Sequence, residues 1–130
     1  MFRLVKVLNG NNQYETVRLK NNGGNDIKMG CMLMHQNGTV AFPSATTKPH
    51  YLALKDTASS ESGIIDVMMI NDNMVFKVEY TGSANPFLGM SVGLANLKGK
   101  MDAVTYNTNG KGTIIEIDDD NHLVYVRFHR

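Results

Sequence analysis

The sequence predicts an all-β protein, a small β-barrel or β-sandwich of short antiparallel strands. Three observations carry this. Apolar and polar residues alternate over runs of about four to eight residues, the period of a half-buried strand. Clusters of Asn, Gly, Asp and Pro punctuate those runs about every 8 to 12 residues, the spacing of a sandwich or barrel. A 3.6-residue period is never sustained beyond two turns, and the one helical candidate, "VGLANLKGKM", is weakened by Gly93 and Gly99.

The elements follow in order. "MFRLVKVL" alternates Phe2 and Leu4 with Arg3, and Val5 with Lys6, then stops at "NGNNQ". "YETVRLK" sets Tyr14, Thr16 and Arg18 against Val17 and Leu19, then stops at "NNGGND". Residues 1–26 therefore read either as a first hairpin or as an extended N-terminal arm that becomes ordered on a partner. A β-barrel domain is expected over residues 27–130.

That domain opens with "IKMGCMLMHQNGTVAF", where Asn37-Gly38 is a strong hairpin signal and Pro43 ends the second arm. Asn37-Gly38-Thr39 also matches a glycosylation sequon, but without a secretory signal it reads as this turn. "KPHYLALKD" is a strand that opposes Tyr51 and Ala53 to Leu52 and Leu54, and "TASSES" is a small-residue loop. "GIIDVMMI" is an apolar strand, Asn71 to Asn73 turn the chain, and "MVFKVEYTG" alternates Val75, Lys77 and Glu79 against Phe76, Val78 and Tyr80. After the Pro86 loop, "SVGLANLKGKMDAVTYN" reads as two strands about a Gly99 turn. The closing "GKGTIIEIDDDNHLVYVRF" reads as a hairpin with a four-residue tip. Ile115 and Ile117 are expected to face the core on one side of it, with Val124, Val126 and Phe128 on the other.

At 130 residues the chain has the length of one domain able to bury a core without disulfides. Charged residues are 19% of it, with 13 Lys+Arg against 12 Asp+Glu. That balance lacks the basic surplus of a nucleic-acid binder, and Arg127, His129 and Arg130 are a thin footprint for one. No specific nucleic acid is expected as a partner. Cys31, the single cysteine, follows Gly30 in the apolar run "CMLM" and reads as a buried thiol, not a nucleophile. No secretory signal, lipidation motif or membrane span is visible, so no membrane partner and synthesis in a cytoplasm are expected.

Motifs that carry chemistry do not assemble. Asn109-Gly110-Lys111-Gly112-Thr113 resembles a phosphate loop, but the first glycine is missing and a β-branched run follows where a helix must begin. Asp118, Asp119, Asp120 and Asn121 are contiguous, so their side chains diverge; they suit a turn better than a calcium loop. His35, His50, His122 and His129 show no metal-ligand spacing, and Ser44 and Ser91 lack a nucleophile-elbow setting. Asp66 and Asp72 flank an apolar strand and are a candidate carboxylate pair. The nine methionines read as core filler or an adaptable contact face. No catalytic residue, cofactor site or metal site is assigned, and a non-enzymatic protein is expected.

The order of features from Lys28 to Phe128 resembles the small β-barrel capsid decoration, or head-stabilising, proteins of tailed bacteriophages. The residues that carry it are Gly38 and Val40; Lys48, Pro49 and Tyr51; Asp72, Val75, Phe76 and Val78; Gly89, Val92 and Leu94; and Gly112, Ile114, Ile115, Asp118, Val124, Val126 and Phe128. It is a pattern of turn glycines and apolar strands. It implies a virion structural protein, made in the bacterial host cytoplasm, that stabilises a capsid shell. Its implied partners are the major capsid protein and neighbouring copies, as a homo-oligomer on the shell. The first 26 residues lie outside the resemblance. As an arm they would offer Phe2, Leu4, Val5 and Val7 as apolar anchors and Arg3 and Lys6 as polar ones. The alternative, suggested by the closing hairpin, is a small SH3-like or OB-like binding module; an aromatic stripe on one sheet face would favour it, and Tyr51, Phe76, Tyr80 and Tyr106 do not declare one.

Overall fold

The computed structural model describes residues 1–8, 15–21, 26–58 and 63–129. Among the described residues eleven strands form: β1 (Arg3–Val7), β2 (Thr16–Asn21), β3 (Met32–Gln36), β4 (Thr39–Ala41), β5 (Tyr51–Ala53), β6 (Ile64–Met69), β7 (Met74–Glu79), β8 (Ser91–Ala95), β9 (Ala103–Tyr106), β10 (Gly112–Asp118) and β11 (Leu123–Phe128). Among the described residues there is no α-helix; "VGLANLKGKM" instead spans β8 and its turn. The "NGNNQ" stop and most of the "NNGGND" and "TASSES" loops lie outside the described residues.

The strands divide between a closed barrel, β2-β4-β3-β5-β6, and a six-stranded sheet, β1-β7-β11-β10-β8-β9. This is the expected small β-barrel of short, mainly antiparallel strands, with one parallel pair in the barrel. β2 and β4 pair in parallel, Lys20 with Thr39 and Asn21 with Val40. A ring of five strands cannot alternate direction all the way round, so at least one neighbouring pair must run parallel. The six-stranded sheet also curls toward closure. Tyr80, just past β7, bridges Val104 of β9 in parallel, and the Thr81 N–H donates to the Val104 carbonyl at 2.9 Å.

The wall between the units is buried on both faces over residues 31–33 and 67–68, which explains why apolar residues are consecutive there; Met69, at the end of β6, is exposed. Cys31, Leu33, Val40, Ala53, Ile65 and Val67 point into the barrel with Ile27. Met32, Leu52 and Met68, from the same strands, point outward into the larger core beneath the six-stranded sheet. There Phe2, Phe76 and Phe128 form a ring cluster, with centroids 5.9–6.3 Å apart and Phe2 edge-on to Phe76.

The turns show why each hairpin closes. Asn37 and Gly38 both take positive φ, 51° and 83°, as a two-residue primed turn between β3 and β4 requires. Between β8 and β9, the Asp102 carboxylate accepts the backbone N–H groups of Leu97, Lys98 and Gly99 at 2.8, 2.9 and 2.8 Å. At the closing hairpin, a 3-10 turn over Asp119–Asn121 ends at His122, whose φ of 57° is left-handed. The Asn71–Asn73 turn does not make a hairpin: it carries the chain from β6 in the barrel to β7 in the other sheet.

Within residues 1–26, the two described strands pair with different sheets. β1 pairs with β7 in the six-stranded sheet, and β2 pairs with β6 and β4 in the barrel. The Phe2 N–H donates to the Gly30 carbonyl at 2.8 Å, tying the start of β1 to the segment that enters β3.

Candidate interaction surface

The groups singled out for chemistry lie apart. His35, His50, His122 and His129 are all exposed. His50 Nδ1 accepts the His35 backbone N–H at 3.0 Å, and His129 Nε2 pairs with the Thr113 hydroxyl. Among the described residues no cluster of three or more His, Cys, Asp or Glu side chains is placed to hold a metal ion. Asp66 and Asp72 do not pair with each other. Asp66 faces Arg18 at 3.2 Å and Lys55 at 3.9 Å, while Asp72 pairs with Lys48. Ser44 bonds Thr47 and Ser91 bonds the Gly110 carbonyl, so neither hydroxyl meets a base.

Cys31 is 1% exposed, and burial pushes its thiol up to about 11. A thiol so placed stays protonated and is a poor nucleophile. At the acidic turn, the Asn121 side chain donates to the Asp118 carboxylate at 2.9 Å and holds it below the usual carboxylate range, with Lys77 contributing at 3.8 Å. The basic terminus is also committed. Arg127 donates from Nε and Nη2 to the Asp72 carbonyl at 3.0 and 2.7 Å, capping the crossing turn; Arg130 is outside the described residues.

The predicted partner-binding residues divide. Phe2 is a core residue at 1% exposure, so it is no surface anchor; it fills the ring cluster instead. Leu4 and Val7 are half-buried against the same core. Arg3, Val5 and Lys6 are exposed.

Val5 is exposed because β1 carries a β-bulge. Leu4 pairs with Phe76 and Lys6 with Val75, which leaves Val5 as the extra residue. β10 has the same device. Ile114 pairs with Val126 and Glu116 with Tyr125, leaving Ile115 over. This corrects the expected register of the closing hairpin. Ile114, at 1% exposure, takes the core position, and Ile115, at 38%, faces out. Beyond the bulge the phase flips, so Ile117 returns to the core as expected.

The two bulges serve one surface feature. Val5 and Lys6 from β1, Ile115 and Glu116 from β10, and Val75 and Tyr125 between them line one depression of about 290 Å³. Lys77 covers the Tyr125 ring, 5.5 Å from its centroid. Sequence reasoning missed this feature, yet a signal is present. Leu4-Val5-Lys6-Val7 and Ile114-Ile115-Glu116-Ile117 share the order aliphatic, aliphatic, charged, aliphatic. Strict alternation cannot bury both ends of such a run; one inserted residue can.

A second apolar feature is the loop before β8. Phe87 and Leu88 are 55% and 66% exposed. The loop is nonetheless fixed: the Met90 N–H donates to the Phe87 carbonyl at 3.1 Å, and the Gly89 N–H to the Ile114 carbonyl at 2.8 Å. Gly89 sits at φ 85°, where a side chain would be strained. The pair is thus presented beside the β10 bulge.

Tyr51, Phe76, Tyr80 and Tyr106 do not share a surface. Phe76 is in the core, Tyr80 has its hydroxyl buried, Tyr51 lies in the barrel wall and Tyr106 is exposed at the end of β9. No protein-family model matches the chain, and no curated protein shows significant similarity to it.

Proposed function

We propose that this protein is a non-enzymatic assembly protein that binds and stabilises a phage capsid shell through surface contacts. The observation that carries the proposal is the Phe87–Leu88 pair, two large apolar side chains held exposed on a hydrogen-bonded loop. Large aromatic and aliphatic side chains standing out of a fixed backbone are what an interface anchor needs, because little conformational entropy is lost when they bury. The resemblance of residues 28–128 to capsid decoration proteins supplies the partner, the major capsid protein. Many copies of a modest contact, repeated over a shell, sum to a large stabilisation.

Binding to purified shells tests this. Phe87→Ser with Leu88→Ser should remove co-sedimentation with shells while leaving the unfolding midpoint nearly unchanged, since neither side chain is in the core. Undiminished binding of the double variant would refute the anchor.

A further inference from the structure

We infer that the depression built by the two bulges is a self-association face, closed by the same face of a second copy in a two-fold dimer. The inference stands on the sheet geometry and does not require the capsid reading.

Each bulge turns an aliphatic residue and a charged residue outward together: Val5 with Lys6, and Ile115 with Glu116. The two pairs carry opposite charges and sit on opposite sides of a floor made by Val75 and Tyr125, with Lys77 over the Tyr125 ring. β1 and β10 are three places apart in the sheet, roughly 14 Å at ordinary strand spacing. Neither Lys6 nor Glu116 forms an ion pair within the chain among the described residues.

That arrangement is self-complementary. Lys6 stands level with Val75, and Glu116, through Tyr125, with Lys77, two residues further along β7. Place a two-fold axis in the plane of the interface between β7 and β11, tilted from the strands so that it lies perpendicular to the line joining Lys6 and Glu116. It lays Lys6 of one copy over Glu116 of the other, and Glu116 over Lys6. Val5 meets Ile115 on both sides of the axis. An isologous contact needs this property: a patch whose two halves complement each other. A partner of uniform charge would meet one like-charged rim, which argues for a second copy as the occupant.

Sedimentation velocity over a concentration series tests the face. The full chain should show a monomer–dimer equilibrium that weakens with added salt. Lys6→Glu or Glu116→Lys alone turns two attractive contacts into two repulsive ones. Each should weaken the dimer by about tenfold or more. The double variant K6E/E116K restores opposite charges at both contacts and should return the dimer to within about threefold of the parent. Both side chains are exposed, and circular dichroism of each variant checks that the fold is kept. Ile115→Ser, which leaves every charge in place, should also weaken association. A chain that stays monomeric up to about 1 mM overturns the inference. So does a double variant that remains as dissociated as the single ones.

Discussion

Val5 and Ile115 stand on strands three places apart in the six-stranded sheet, yet each is the inserted residue of a β-bulge and both line the same depression. The bulges do two things at once. They keep Val7 and Ile117 on the core side, and they turn Val5 and Ile115 outward with Lys6 and Glu116. Core packing and surface chemistry are thus set by the same backbone irregularity.

The first prediction follows from the β10 bulge. Ile114→Ala should cost about 2–5 kcal/mol, because it opens a cavity in the main core. Ile115→Ala, on the outer face, should change stability by about 0.5 kcal/mol or less. Phe128→Ala should cost about 3–5 kcal/mol, since its ring contacts both Phe2 and Phe76. Equilibrium denaturation of the three variants ranks them. Equal losses at Ile114 and Ile115 would mean the bulge is misplaced.

A second prediction concerns Asp102, 7% exposed and bound to three backbone N–H groups of the β8–β9 loop. Asp102→Ala leaves donors in that loop without their acceptor and should cost about 1–3 kcal/mol or more. Hydrogen exchange should locate the loss, with amides of Leu97, Lys98 and Gly99 exchanging faster than in the parent.

Two glycines should respond differently to alanine. A Cβ on Gly110 would lie 2.0 Å from the Val92 carbonyl oxygen, a clash with main chain that only a backbone shift relieves. Gly110→Ala should therefore lower the unfolding midpoint sharply. Gly38 has open space around it, and its φ of 83° is the only obstacle. Gly38→Ala should cost about 1–2 kcal/mol.

Cys31 gives a pH prediction. Its thiol has a pKa of about 11 in the fold against an ordinary 9.0. The folded state therefore holds the proton more tightly than the unfolded chain. The resulting stability is complete below about pH 9 and falls as pH rises toward 11. Cys31→Ser removes that titration from the stability profile. A thiol reagent at pH 8 should label the parent only once it unfolds.

The strands were legible in the sequence wherever one face meets solvent, as in β7 with Lys77 and Glu79, or β2 with Arg18. Local turn chemistry was equally readable at Asn37-Gly38, because its positive φ angles depend on those two residues alone. What escaped was non-local. The crossing at Asn71–Asn73 looks like any tight turn; distant residues fix it between two sheets, Arg127 on the Asp72 carbonyl, Lys48 on the Asp72 side chain and the Leu8 N–H on the Asn73 carbonyl. Phe2 read as an exposed anchor because a chain start carries no mark of burial; Phe76 and Phe128, far along the chain, bury it. The bulges break the period of two, so strict alternation points Ile115 inward. Phe87 and Leu88 carry no mark in the sequence, because a loop residue's exposure is set by the hydrogen bonds that hold the loop away from the core.

Mass spectrometry of gradient-purified particles from cells that carry this gene tests the central proposal most directly. The account predicts the protein in many copies per particle, and its loss from particles when Phe87 and Leu88 are both serine. Intact particles that contain none of it, while the folded protein accumulates in the same cells, would contradict the account.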